Sequence, residues 1–71
     1  MRSYKHAAQA LGKLMDEKNL TAAELSRQTD IDAGILRNIL TGRKTGISTR
    51  NIMILARYFG YSMQDLIDLF A

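Results

Sequence analysis

The sequence contains no cysteine, no proline and no tryptophan. Without cysteine the chain has neither disulfide bonds nor thiolate ligands for a metal, as is usual in a reducing compartment. No apolar run reaches the roughly 18 residues that a membrane-spanning helix needs, and the start does not have the pattern of a secretory signal. We therefore expect a cytoplasmic protein that does not contact a membrane.

Acidic residues are missing from the middle of the chain, between Asp32 and Asp65, although the net charge is only +3. The same interval contains the cations Arg37, Arg43, Lys44, Arg50 and Arg57. A basic surface without acids attracts a polyanion such as a nucleic-acid backbone. A solvated basic face without a partner is the alternative interpretation.

Groups that carry out catalysis are also scarce. His6 is the only histidine, there is no cysteine nucleophile, and no glycine-rich phosphate loop is present. The acidic residues do not form an evident pair that would serve as general acid and base. We therefore expect no enzymatic activity, no cofactor, no metal site and no small-molecule substrate.

What the chain does contain is helical periodicity. With 71 residues, of which 46% are apolar, it can bury one modest core, so we expect a single domain over residues 1–71. The spacing of apolar residues predicts five short helices and no other element, over residues 4–18, 22–28, 33–41, 49–59 and 63–70. Ser3 is expected to cap the first helix, and Gly12 to lie where two helices cross closely.

Residues 20–42 are the best-defined part of this pattern. Thr21 and Glu24 have the spacing of a capping box at the start of the second helix. Asp32 is a favourable N-cap for the third helix, and Gly42 stands where a helix-terminating glycine is expected. The stretch therefore predicts two short helices joined by a tight turn.

The third helix divides into two faces at about 100° per residue. The outward face consists of Ala33, Gly34, Arg37, Asn38 and Thr41. The inward face consists of Ile35, Leu36, Ile39 and Leu40. Small, basic and amide groups on one side suit insertion into a DNA major groove. An ordinary amphipathic helix of a small bundle is the alternative.

The last helix is more apolar than one buried face requires, because Leu66, Ile67, Leu69 and Phe70 follow one another closely. This surface is expected either to meet a second subunit or to pack back on the first helix, and the sequence does not decide between these.

With these residues assigned, the chain resembles the helix-turn-helix domain of the phage repressor and Cro family, also called lambda repressor-like or XRE-type. The matching positions are Leu20, Thr21, Glu24, Leu25, Ile31, Asp32, Leu36, Ile39, Gly42, Ser48, Leu55, Ala56, Gly60, Tyr61, Ser62 and Leu66. The resemblance implies an all-α, compact five-helix bundle with the helix-turn-helix at helices 2 and 3.

The resemblance also implies a DNA-binding surface. The third helix becomes the recognition helix, with base contacts from Ala33, Gly34, Arg37 and Asn38. Backbone contacts are expected from Thr21, Ala22, Thr41, Arg43, Lys44, Thr45 and Ser48. Asn38 is suited to an adenine edge, and Arg37 to a guanine or a phosphate.

Three positions depart from the family pattern, one of them alone and two as a pair. Ala22 replaces a glutamine that helps many relatives hold the DNA backbone. Met15 and Leu40 replace an arginine and a glutamate that form a buried ion pair in many relatives. Exchanging both charged partners for packed apolar groups avoids two desolvation costs. We therefore expect direct contact between Met15 and Leu40.

These observations favour a sequence-specific transcriptional regulator, a Cro-like repressor that binds double-stranded DNA at a two-half-site operator as a homodimer. The alternative is a protein-interaction module with the same fold, for example antitoxin-like, because small Ala33 and Gly34 and the missing glutamine leave little for DNA to contact.

Overall fold

The computed structural model describes residues 2–71 and contains five helices and two short strands in this part of the chain. The elements are β1 (Arg2–Ser3), α1 (Ala7–Glu17), α2 (Ala22–Thr29), α3 (Ala33–Leu40), β2 (Gly46–Ile47), α4 (Thr49–Phe59) and α5 (Met63–Phe70). The predicted all-α class is confirmed. The expectation that helices are the only elements is wrong, because β1 and β2 pair in an antiparallel sheet.

Local capping fixes where four of the helices begin. Thr21 and Glu24 exchange side-chain and backbone hydrogen bonds as a complete capping box, with distances of 2.9 and 3.1 Å. Ser48 accepts the N–H of Asn51, and Ser62 accepts the N–H of Asp65. These bonds satisfy amides that no preceding turn can reach, so α2, α4 and α5 start at the predicted residues, as does α3 after Asp32.

The first helix begins later than predicted. Residues 4–6 are not part of α1, and Ser3 belongs to β1 instead of capping a helix. Tyr4 explains the difference: it is buried, its ring lies edge-on to Phe70 at 6.2 Å, and its N–H donates to the Thr45 carbonyl at 2.8 Å. These long-range contacts outweigh the helical spacing of the N-terminal apolar residues.

The core forms between the helices. α1 packs against α3 and α5, α2 packs against α3, and α4 packs against α5. Its fully buried large side chains are Leu11, Leu25, Leu36, Ile39, Ile52, Leu55, Leu66 and Phe70. Burial of each such side chain stabilises the fold by about 1.5–3 kcal/mol. Within residues 2–71, no helix is both long and apolar enough to cross a membrane.

The last helix packs back on the first, as one of the two interpretations of its apolar sequence required. Leu66 and Phe70 are fully buried inside the chain, and the Phe70 carbonyl accepts the N–H of His6 at 2.7 Å. Leu69 is different, because 43% of its surface is exposed. One apolar side chain of α5 therefore remains on the outside.

Candidate nucleic-acid interface

Helix α3 is held by its apolar side, which turns its polar side to solvent. Leu36 and Ile39 are buried, and Leu40 lies 3.9 Å from the position that a Cβ on Gly12 of α1 would occupy. The glycine therefore lies at the predicted close approach of α1 and α3. On the other side Arg37 is exposed and Asn38 is half-buried.

The start of α3 is fixed by Asp32. One carboxylate oxygen of Asp32 accepts the N–H of Gly34 at 2.7 Å and the N–H of Ile35 at 3.3 Å. Gly34 is exposed and Ala33 is half-buried, so both lie at the surface beside this cap. Ala33 and Gly34 thus present backbone and one methyl group, with no bulky polar side chain.

The loop after α3 folds back onto the helix that precedes it. Gly42 has a φ of 75°, and the N–H of Lys44 donates to the Asn38 carbonyl at 3.2 Å. Arg43, Lys44 and Thr45 are all exposed. The loop therefore places two cations next to the C-terminal end of α3.

The N-terminus of α4 follows this loop directly. Ser48 caps the helix, no acidic residue lies in its first turn, and Arg50 is exposed there. A helix N-terminus carries a partial positive charge that attracts anions. Together, the loop cations and this uncompensated helix end form a surface suited to a phosphate group.

A known protein family matches this chain. A family model described as Cro/C1-type HTH DNA-binding domain matches residues 10–71. The chain belongs to the Cro/C1-type helix-turn-helix family. No curated protein and no solved structure gives a significant match. The family is one of DNA-binding regulators, and its partner is double-stranded DNA.

Within this Cro/C1-type domain, the two helix N-termini expected to approach phosphates differ in charge. The capping box at α2 places the Glu24 carboxylate at that helix end. Hydrogen bonds to Thr21, first from its backbone N–H and then from its hydroxyl, hold the pKa of Glu24 below its ordinary value of 4.5. The Glu24 carboxylate is therefore ionised at neutral pH. This charge repels a phosphate, whereas α4 has none in its first turn.

Thr21 is exposed and Ala22 is half-buried, so the predicted α2 contacts reach the surface of the Cro/C1-type domain. Two further acids lie close by in the chain. Asp30 adopts the left-handed conformation expected for the turn, with a φ of 60°, and Asp32 is occupied as a cap. The electrostatic conditions for backbone contact are therefore better at the loop and α4 than at α2.

The sequence reasoning placed Ile35 on the buried face of α3, and this is wrong. Ile35 is 45% exposed, whereas Leu36 is fully buried. At 100° per residue, Ile35 points about 100° away from Leu36, at the border of the apolar arc. This border position in the helical periodicity was the signal in the sequence that Ile35 could be exposed. Helix α3 of the Cro/C1-type domain therefore presents a large apolar side chain at the border of its polar face, next to Asn38.

His6 lies at the surface, with its Nδ1 atom 3.0 Å from the Ala71 carbonyl oxygen. Among residues 2–71, no three histidine, cysteine, aspartate or glutamate side chains lie close enough to hold a metal ion.

Proposed function

We propose that the chain is a sequence-specific transcriptional regulator that represses by binding a two-half-site operator as a homodimer. In this proposal residues 1–71 act as one domain in the cytoplasm, where its DNA partner is located, and have no enzymatic activity. The observation that carries it is the exposed surface formed by the outer side of α3, the loop of residues 43–45 and the start of α4. Residues 33–50 include no acid, and the neighbouring Asp32 carboxylate is used as the cap of α3.

Base contacts are assigned to the outer side of α3, at Ala33, Gly34, Arg37 and Asn38, with Ile35 added because it is exposed. The Asn38 amide suits an adenine edge and the Arg37 guanidinium suits a guanine edge. Ile35 and Ala33 have only methyl groups to offer, which suits the C5-methyl group of thymine. Gly34 lets the helix backbone approach the base pairs closely.

Backbone contacts are assigned to two places on either side of α3. The stronger contains Thr41, Arg43, Lys44, Thr45 and Ser48. The weaker contains Thr21 and Ala22, next to the Glu24 carboxylate. Phosphate contacts position the protein on the duplex, and base contacts then select the sequence.

A dimer is part of the proposal for two reasons. One copy offers few side chains that read bases, which is too little for strong specificity. In addition, Leu69 of α5 and the neighbouring Tyr61 expose 43% and 37% of their surfaces. A symmetric pair of subunits that buries these groups would present two copies of α3 to two half-sites.

Selection of bound sites from a random pool of duplex DNA tests the proposal directly. We expect an enriched site with two inverted halves, bound more tightly than random duplex. Equal affinity for every sequence would contradict the proposal, and a single unrepeated half would contradict the dimer.

Two variants then separate the two kinds of contact. Neutralising both loop cations, as Arg43→Gln with Lys44→Gln, should make the slope of log K against log salt shallower by about 1.8 per subunit, or about 3.6 for a bound dimer, because each phosphate contact contributes about 0.9. Asn38→Ala should leave this slope unchanged and cost about 1–3 kcal/mol on the selected site only.

A second candidate function is a protein-interaction module, for example an antitoxin-like one. The exposure of Ile35 beside Ala33 and Gly34 favours it, since the first turns of α3 then form a small apolar surface. The same variants discriminate between the two functions. Loss of the loop cations weakens DNA binding, whereas an apolar protein contact through Ile35 survives it.

A further inference from the structure

The N-terminal strand lies outside the matched family region, which begins at residue 10, yet it is built into the proposed DNA-binding surface. Strand β1 pairs antiparallel with β2, with Arg2 opposite Ile47 and Ser3 opposite Gly46. The N–H of Tyr4 then donates to the Thr45 carbonyl at 2.8 Å. The strand is therefore hydrogen-bonded to the residues that follow the two loop cations.

The N-terminal segment brings the same kind of charge as the loop. Residues 2–15 contain no aspartate or glutamate, and both Arg2 and Lys5 are exposed. Because the pairing is antiparallel, the chain direction carries residues 4 and 5 towards the end of the loop where Lys44 lies. The pairing thus joins two acid-free segments that are far apart in sequence.

Hydroxyl groups meet at the same place. The Ser3 and Thr45 side-chain oxygens are 3.4 Å apart, and both residues are exposed. Hydroxyls, cations and backbone amides are the groups that proteins use to contact phosphate oxygens. Arg2, in addition, is supported by Tyr4, since its guanidinium carbon lies 5.4 Å from the centre of that ring.

We propose that β1 is a phosphate-contacting strand, in which Arg2, Ser3 and Lys5 bind the sugar–phosphate backbone of the same duplex that the loop of residues 43–45 contacts. The inference rests on the proposed function and extends it, because it adds contacts that lie outside the helix-turn-helix. The alternative is that β1 only stabilises the loop. In that case Tyr4 and the backbone pairing would be sufficient, and removing the exposed cations Arg2 and Lys5 would not change DNA binding.

The salt dependence of DNA binding measures the number of phosphate contacts that Arg2 and Lys5 make. We compare the native chain with Arg2→Gln, Lys5→Gln and the double variant on the selected duplex, over a range of salt concentrations. Each cation that contacts a phosphate contributes about 0.9 to the slope of log K against log salt, and a bound dimer has two copies of each. Each single variant should therefore make the slope shallower by about 1.8, and the double variant by about 3.6. Arg2→Lys keeps the charge and should keep the slope.

Arg57→Gln is the matched control, because it removes one exposed positive charge from the last turn of α4, beside Gln28 and Tyr58 and at the opposite end of that helix from the proposed phosphate contacts. Its slope should equal that of the native chain. Sedimentation checks that each variant associates like the native chain, and thermal unfolding checks that Arg2→Gln still folds despite the loss of the Tyr4 contact.

The possible results separate the two proposals. If the native chain binds the selected duplex and the Arg2 and Lys5 variants have the same salt slope as Arg57→Gln, the strand inference is overturned while the proposed function stands. If the native chain binds no duplex at any salt concentration, the proposed function itself fails, and the inference fails with it.

Discussion

Exchanging two apolar residues for an ion pair tests how α1 and α3 meet in this protein. Met15 is 4% exposed on α1 and Leu40 is half-buried on α3, close to Gly12 one turn before Met15. Their direct contact remains a prediction. If it exists, Met15→Arg and Leu40→Glu should each be harmful alone and partly compensate each other when combined.

The expected magnitudes follow from burial. An arginine at the buried Met15 position without a partner costs about 3–5 kcal/mol, and a glutamate at the half-buried Leu40 position costs less, about 1–3 kcal/mol. A domain of this length is stabilised by only about 4–11 kcal/mol in total. Contact between the new charges should recover about 0.5–3 kcal/mol, and each kcal/mol corresponds to roughly 4–8 °C in Tm.

Urea and thermal unfolding of the two single variants and the double variant give the coupling energy. Ile35→Glu combined with Met15→Arg is the matched control, since it adds the same charge to α3 on a side that is exposed to solvent. Additive losses in the double variant, or equal coupling in the control, would refute the predicted contact. If Met15→Arg alone does not fold, refolding of the double variant still supports the contact.

Two further predictions concern α3 and α2. On the selected site, replacing the contacted thymine with deoxyuridine removes one methyl group and should weaken binding of the native chain by about 0.8 kcal/mol, roughly fourfold. Binding of Ile35→Ala should not be weakened by this replacement, and an equal loss would show that Ile35 does not contact thymine. Because the folded-state pKa of Glu24 is lowered, its charge stabilises the fold above the unfolded pKa, and this contribution disappears as pH falls through the folded pKa. The stability difference between the native chain and Glu24→Gln should therefore be present at neutral pH and vanish well below pH 4.5, and a difference independent of pH would contradict this.

The starts of α2, α3, α4 and α5 were predictable because their signals are local. Thr21, Asp32, Ser48 and Ser62 each satisfy amides within three residues, so the sequence alone contains both partners of each bond. The sheet was not predictable in this way. Its strands have two residues each and pair across more than 40 residues of chain, and such short segments have no alternation that would mark them.

The candidate site was predictable in outline. The position of α3 and the loop cations followed from helical periodicity and charge. Ile35 was misassigned because periodicity defines a continuous angle, and a residue at the border of the apolar arc falls on either side. The charge difference between the starts of α2 and α4 is visible in the sequence at Glu24, but its effect on phosphate binding depends on the capping geometry.

Pairing of β1 with β2 has a thermodynamic consequence for the loop beside it. Two-residue strands contribute few hydrogen bonds, and both residues of β1 are exposed, so this pairing belongs to the regions that open most easily. Any ligand that holds the loop in its paired arrangement therefore also holds the strand. The coupling is reciprocal. A change that favours the paired strand raises the affinity for that ligand by the same factor by which the ligand favours the pairing.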